Sequence, residues 1–517
     1  MVMISRRNLL IGAGAGLIAS PSILRAQQLF TAFPFRLGAA SGDPSHDGFV
    51  IWTRLAPDPF EEHGGMPMGA VDVEWFVYED EGMRRIARQG IAQAWPELGH
   101  SVHVELTGLQ PDRPYWYRFG VGRDRTQLGT ARTLPLPGKA LDRIRFGVAG
   151  CQNLEDGLFT AYAHLAREDV AFVWHYGDYI YEDRPRQVNY NFDGSPREHV
   201  RSHVGTDCFT LGDYRRRYAQ YKMDPDLQAA HLSASWFTTF DDHEIVNDWT
   251  GDVSPRQPDP ALFAFRRAAA MQAYYEHMPL RRSSMPGANG MQLYRRARIG
   301  DLLDAHFLDT RQYRSAQACK GGFNPACPEL GAPERTVLGE TQQAWLNKAL
   351  AEKSARWNLI AQQIMVMPLN RAVGDETTDI RNMDSWGGYD AAREKLLAGF
   401  EGLGNVVVMT GDEHQNFAGE LRRNAGKGDA VAVELVSTSI SSGGTSWIKP
   451  EAAARIRASN PFLKYSSDRR GYMLCELTPK SWTARYRGVD QVTTPGGTIS
   501  TLKTATIEHG KPVISLS

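Results

Sequence analysis

The sequence predicts an α/β (α+β) fold preceded by a small β-sandwich, and three observations predict it. From about residue 35 to 135 the chain reads as short runs of β-branched and aromatic residues cut by Gly, Pro and Asp turns. Beyond Leu141, apolar strand-like runs alternate with stretches whose apolar residues recur at helical spacing. Five of those later runs end alike: IRFGVAG into Cys151, VAFVWHYG into Asp178, WFTTF into Asp241 and Asp242, AHFL into Asp309, and NVVVMTG into Asp412. Functional groups of α/β sheets gather beyond the carboxyl ends of strands, so five such ends predict one shared site.

In chain order, the first element is an address. Residues 1–26 carry Arg6 and Arg7, no acidic residue, and an apolar run from Leu9 to Ala19 before a small-residue end. This predicts a cleaved signal peptide, and Ser5-Arg6-Arg7-Asn8-Leu9-Leu10 resembles the twin-arginine export signal of bacteria. The apolar run is about half of the roughly 20 residues that a spanning helix needs, which argues against a stable membrane anchor. A periplasmic or secreted protein, exported already folded by the twin-arginine machinery, is expected.

The second element, residues 32–136, is the predicted sandwich, with strands over 50–54, 71–77, 103–106 and 115–119. Leu109, Pro111, Tyr115 and Tyr117 resemble the corner of fibronectin-III-like modules, which implies a packing or lid domain without chemistry. The third element, residues 140–517, is the predicted catalytic domain and includes a helix over 158–165.

Charge and cysteine usage narrow the function. The 517 residues are 42% hydrophobic and 23% charged, and 58 Lys+Arg against 59 Asp+Glu leave a net charge of −1. A disordered acidic tail, a collagen-like fibre and a strongly basic nucleic-acid binder are excluded. With no global field to hold DNA or an acidic membrane, an anionic substrate must be captured locally, and no sequence-specific nucleic-acid partner is expected. Five cysteines are too many for two disulfides and too few for three. Cys319 and Cys327, with Gly and Pro between them, are the expected pair, and Cys208 and Cys475 are expected as buried apolar fillers.

The polar strand ends carry the chemistry. Asp178 and Tyr181 stand three apart, so one turn can aim a carboxylate and a phenol at the same centre. Asp241, Asp242, His243 and Glu244 pack three carboxylates with an imidazole, and Asn247 follows. Asp412 and His414 stand two apart, on one side if the backbone stays extended. Such a concentration of like charge needs compensating cations, and metal binding is the simplest source. Each residue also has an ordinary use: Cys151 as a buried thiol, Tyr181 as a core aromatic, Asn247 as a helix cap. Glu244 is read as an acceptor orienting an imidazole, and His243 as either touching substrate or sitting in that supporting layer. Asp309 and Arg311 are read as a structural pair, and Ser45-His46-Asp47 as a turn, because consecutive residues cannot line up a nucleophile, base and orienter.

In this order the motifs resemble the calcineurin-like metallophosphoesterases, whose pattern runs through GDxxY, GNHE and GHxH, and specifically the PhoD alkaline phosphatase family. The resemblance includes FRLGAASGDPSHDGFVIWTRLAP, GVAGCQN, HYGDYIYE, TFDDHEIVNDW, FLDTRQYR, DSWGGYDAARE and TGDEHQNF. It implies a two-sheet core flanked by helices. It also implies a mixed centre, with iron held by Cys151, Asp178, Tyr181 and His414, and calcium by Asp242, Asn247 and Asp412, bridged by Asp178. Thiolate, phenolate and imidazole suit Fe³⁺, whereas clustered oxygens suit Ca²⁺. Cys151, Asp242 and Asp412 depart from the wider superfamily, each towards this family's pattern.

The expected function is a secreted, monomeric phosphatase acting on phosphate monoesters and diesters by attack of a metal-activated water at phosphorus, with inorganic phosphate as product. Asp178, His243, Asp412 and His414 are the expected catalytic residues. The alternative is a metal-stabilised cell-envelope binding protein without catalysis.

Overall fold

In the computed structural model, residues 30, 32–190, 195–197, 199–288, 290–372, 378–426, 428–444 and 450–517 are described. The predicted signal peptide, residues 1–26, lies outside them. Among the described residues no helix is long and apolar enough to cross a membrane.

Two large sheets form the core. The first runs Ile514–Leu516, Ile499–Glu508, Ser481–Val489, Gly471–Leu477, Ile144–Ala149, Phe172–His175, Trp236–Thr238, Ala39–Gly42, Val50–Arg54, Ser101–Glu105. The second runs Arg295–Ile299, Leu303–Phe307, Trp357–Ala361, Val406–Thr410, Ala430–Val436, Asn416–Arg422, Leu463–Ser467. Each is parallel at its centre. Parallel strands need crossovers that cover their faces, which is why Val406–Thr410 and Trp357–Ala361 are buried throughout and read as unbroken apolar runs.

The inner faces of the two sheets meet through Phe146, Trp174, Phe307, Leu359, Met409 and Val433. Helices cover the outer faces. Tyr162, Tyr218, Leu227 and Tyr274 pack on the first sheet, and Leu346, Leu350, Leu396 and Leu397 on the second. Helix Leu211–Lys222 starts at a capping box between Thr210 and Asp213, and Asp224 and Asp259 cap Pro225–Ser233 and Pro260–His277.

The amino-terminal sandwich has Val71–Tyr78, Ile86–Ala94, Pro114–Val121, Asp124–Arg125 and Gly129–Arg132 in one layer. Its other layer is Ala39–Gly42, Val50–Arg54 and Ser101–Glu105, which extends the core sheet through a parallel pairing of Gly42 with Trp236. Gly42 is required there: a Cβ would lie 2.4 Å from the Pro279 carbonyl oxygen and 2.8 Å from that of Trp236. The seam also satisfies the exposed carbonyls at the end of helix Pro260–His277. Trp52 Nε1 donates to Glu276 O at 2.9 Å, and His103 Nε2 donates to Tyr275 O at 3.0 Å.

Cys319 and Cys327 are disulfide-bonded, and Cys208 and Cys475 are buried free thiols, as the sequence predicts. Ser45-His46-Asp47 is a turn: Ser45 Oγ donates to Asp47 Oδ1 at 2.8 Å, and Ser45 N donates to Gly48 O at 2.7 Å.

Candidate metal centre

The ends of Ile144–Ala149, Phe172–His175, Trp236–Thr238, Leu303–Phe307 and Val406–Thr410 feed one site. One ring spaces two of its loops. A Cβ on Gly150 would lie 2.3 Å from the Tyr176 ring, and one on Gly411 2.1 Å from it, so only glycine can precede Cys151 and Asp412. Tyr176 is itself fixed by donating its hydroxyl to Thr438 O at 2.6 Å. Cys151, Asp178, Asp412 and His414 all have left-handed backbone, at φ 51°, 55°, 64° and 53°. Such positions cost non-glycine residues on the order of 1–3 kcal/mol each and persist where neighbours over-determine them. Cys151 N donates to Gly177 O at 3.0 Å and Gln152 N to Asp178 O at 3.1 Å, tying two of these loops together. The extended backbone expected across Asp412 and His414 is therefore not what brings them to the site; the tight left-handed turns do so.

On one side, a Cys151, an Asp178 and a His414 ligand atom lie within 4.8 Å of one another. Tyr181 completes the group: its hydroxyl donates to Asp178 Oδ2 at 2.9 Å and stands 3.0 Å from His414 Nε2 and 2.7 Å from Ser442 Oγ. Burial and the neighbouring Asp178 carboxylate push both the Cys151 thiol and the Tyr181 phenol far up. Asp178 Oδ1 is buried without a hydrogen-bond partner. A cation here would reverse the cost of ionising thiol and phenol and would satisfy that orphaned oxygen, so the donor set fits a transition metal.

The other side is built of oxygens. Asp242 groups with Asp178 and His243, and also with Asp248 and Asp384, again within 4.8 Å. Asp242 is fixed by backbone, with His243 N donating to Oδ1 at 3.0 Å and Asp248 N to Oδ2 at 2.7 Å. Burial opposes its charge, but Arg311 and His243 hold it below the usual carboxylate range. Burial and the Asp241 carboxylate push Asp412 well up. Of Asn247, the backbone N–H donates to Glu182 Oε1 at 2.9 Å. Clustered carboxylates at this density fit a hard cation.

Arg311 sits fully buried beneath this side. Its Nε is 2.5 Å from Asp241 Oδ1, and its Nη2 is 2.8 Å from Asp384 Oδ2 and 3.8 Å from Asp242 Oδ1. The expected Asp309–Arg311 pair takes a different form. Asp309 Oδ1 accepts the Arg311 backbone N–H at 3.0 Å, a turn cap, while the guanidinium serves Asp241 and Asp384.

Glu244 also differs from expectation. It accepts Tyr179 N at 2.6 Å and Asp241 N at 2.9 Å, clamping two ligand loops instead of orienting an imidazole. The carboxylate that orients an imidazole is Glu182. His243 Nδ1 donates to its Oε2 at 2.6 Å, and the imidazole ring lies 4.1 Å from that of Tyr181, centre to centre. Burial works against the imidazolium, but Glu182, Asp242 and Asp178 outweigh it and push the His243 pKa well up. Neither Glu182, Asp248 nor Asp384 was legible as a functional residue. The one available signal for Asp384 is its place at the head of DSWGGYDAARE.

Residues 146–486 match the family model of the PhoD-like phosphatases, and residues 20–135 match the model of the PhoD-like phosphatase N-terminal domain. Over 510 residues, 96% of this chain and 86% of the relative, the sequence is 43% identical to alkaline phosphatase D of Bacillus subtilis (strain 168). A solved structure of PhoD superposes with a TM-score of 0.90 at 43% identity, covering 94% of this chain and 92% of that one. The purple acid phosphatase PPD1 from yellow lupin (Lupinus luteus) seeds shares the fold, with a TM-score of 0.55 at 12% identity over 91% of this chain and 74% of that one. Two sheets between helices, a shared rim of ligand loops and these matches agree: the chain belongs to the PhoD-like phosphatase family and has a metallophosphoesterase core.

Proposed function

We propose that this chain is an exported phosphatase that hydrolyses phosphate monoesters and diesters at an iron and calcium centre. Hydrolysis of phosphoric esters follows from family membership and the 43% identity to an alkaline phosphatase. The non-catalytic binding protein has no support in either. Iron is assigned to Cys151, Asp178, Tyr181 and His414, and calcium to Asp242, Asn247 and Asp412. The observation that carries this division is the double membership of Asp178, grouped with Cys151 and His414 on one side and with Asp242 and His243 on the other.

When bound, the ions supply Lewis acidity toward a phosphoryl oxygen and acidity toward the attacking water. The chain's own residues do the rest. Glu182 holds the His243 imidazole by Nδ1, so Nε2 is the nitrogen left to protonate the leaving oxygen or to bond the developing charge. Arg311 cannot reach substrate, since its side chain is wholly buried; it pairs with Asp241 and Asp384 and holds both in place. Catalysis is assigned to residues 140–517, with 32–136 as a packing module. Export through the twin-arginine machinery, without a membrane anchor, rests on Arg6, Arg7 and the short apolar run after them.

Elemental analysis beside turnover tests the reading. Asp178→Asn is expected to abolish p-nitrophenyl phosphate turnover with an unchanged circular dichroism spectrum, and EGTA to stop turnover until Ca²⁺ is returned. Retained activity in the variant overturns the bridging role; indifference to EGTA overturns the calcium assignment.

A further inference from the structure

The disulfide-closed loop from Cys319 to Cys327 lies against the residue that the site borrows from outside the strand ends, Asp384. Four ties connect them. Strand Phe323–Pro325 of the loop pairs with Ile380–Asn382, the segment leading into Asp384. Met383 N donates to Gly322 O at 2.8 Å. Gln317 spans the two directly: its Oε1 accepts Gly322 N at 3.0 Å while its Nε2 donates to Asp384 Oδ1 at 2.6 Å. Ala318, Leu330 and Met383 form a small apolar cluster against which Cys319 packs.

The backbone in between is under tension. Cys319, Lys320, Gly321 and Gly322 are four consecutive residues in left-handed conformation, at φ 51°, 74°, 75° and 63°. Two of them carry side chains that disfavour it. A covalent ring closed at Cys319 holds this run. Both half-cystines are only partly buried, so a reductant reaches them.

We propose that this loop is a positioning element for Asp384, so that the thiol or disulfide state of Cys319 and Cys327 sets how tightly the oxygen side of the centre binds a hard divalent cation. Opening the ring lets the run relax and moves the Gly322 carbonyl and amide that Met383 and Gln317 depend on, so Asp384, beside Asp242 and Asp248, loses the Gln317 hold and keeps only those of Arg311 and Arg314. The inference rests on the calcium assignment above.

A trialkylphosphine attacks one sulfur and the S–S bond breaks. The phosphorus electron pair reduces the disulfide, water oxygen ends on the phosphine oxide, and two protons complete the thiols. The denatured protein then shows five thiols where it showed three.

The test is calorimetric titration of Ca²⁺ into the iron-loaded protein, metal-stripped on the calcium side only, in four forms: oxidised, phosphine-treated, Cys319→Ser/Cys327→Ser, and Gln317→Ala with the disulfide intact. The opened forms and Gln317→Ala are expected to bind Ca²⁺ about tenfold or more weakly, the usual effect of removing a group that orients a ligand. If the oxidised wild type binds no Ca²⁺, the calcium assignment falls. If it binds and the other forms match it, the positioning role falls while that assignment stands. A loop that merely stabilised the fold would lower the melting temperature in chelator without changing Ca²⁺ affinity, so melting is recorded for all four. Should the double variant misfold, phosphine treatment and Gln317→Ala still decide.

Discussion

At the scale of single residues, the centre is held by side chains that touch no substrate. Glu244 accepts two backbone N–H groups from two different ligand loops, and both amides are buried. Glu244→Ala orphans both. Each buried donor left unsatisfied costs about 1–3 kcal/mol, so the variant is expected to lose about 2–6 kcal/mol of stability in urea denaturation and most of its turnover. A loss below about 1 kcal/mol would mean that the clamp is redundant. The role of Glu244 was invisible in sequence because adjacency to His243 does not say which way a carboxylate faces. Cys151, Asp178, Asp242 and His414 were legible because each lies close behind a strand-like apolar run. Asp384 follows only Ile380–Asn382, too short and too polar to signal a strand.

At the scale of elements, strand Ala430–Val436 carries a buried carboxylate. Glu434 accepts Val366 N and Met367 N, each at 2.7 Å, and Thr410 Oγ1 at 3.1 Å. Burial outweighs these donors and raises its pKa from 4.5 to about 7. Between those values the native protein binds more protons than the unfolded chain. The stabilisation is complete below pH 4.5 and lost as pH rises through about 7. At about 1.4 kcal/mol per unit, the loss is about 3 kcal/mol, and the difference in stability between wild type and Glu434→Gln, followed from pH 4 to 8, is expected to show it. A flat difference curve would refute the shift.

Central strands such as Ile144–Ala149, Phe172–His175 and Val406–Thr410 were readable from their apolar runs, but helix Leu211–Lys222 was not. It buries Arg215, Arg217 and Lys222, which hide its periodicity. Arg217 explains the exception: it donates to Tyr181 O and to Asp183 O, the latter at 2.8 Å, and so fastens the metal loop to the helix.

At the scale of the whole molecule, the sandwich and the core share one sheet. That continuity leaves no local mark in sequence, since a pairing between Gly42 and Trp236 joins segments with no common pattern. Gly42→Val drives carbon into two carbonyl oxygens. Overpacking of this kind costs about 1–3 kcal/mol, so a lower melting temperature and faster proteolytic release of the amino-terminal sandwich are expected. Unchanged proteolysis would show that the seam is held elsewhere, by Trp52 and His103.

The phenol ring of Tyr176 reaches furthest. An aromatic ring has a fixed thickness and does not compress, so the gap between the sulfur-bearing turn and the Asp412 turn has a floor that no loop motion can lower. The separation of the two turns is thereby gauged by a buried ring wedged between their glycines, and a smaller side chain at that position would leave them without a spacer.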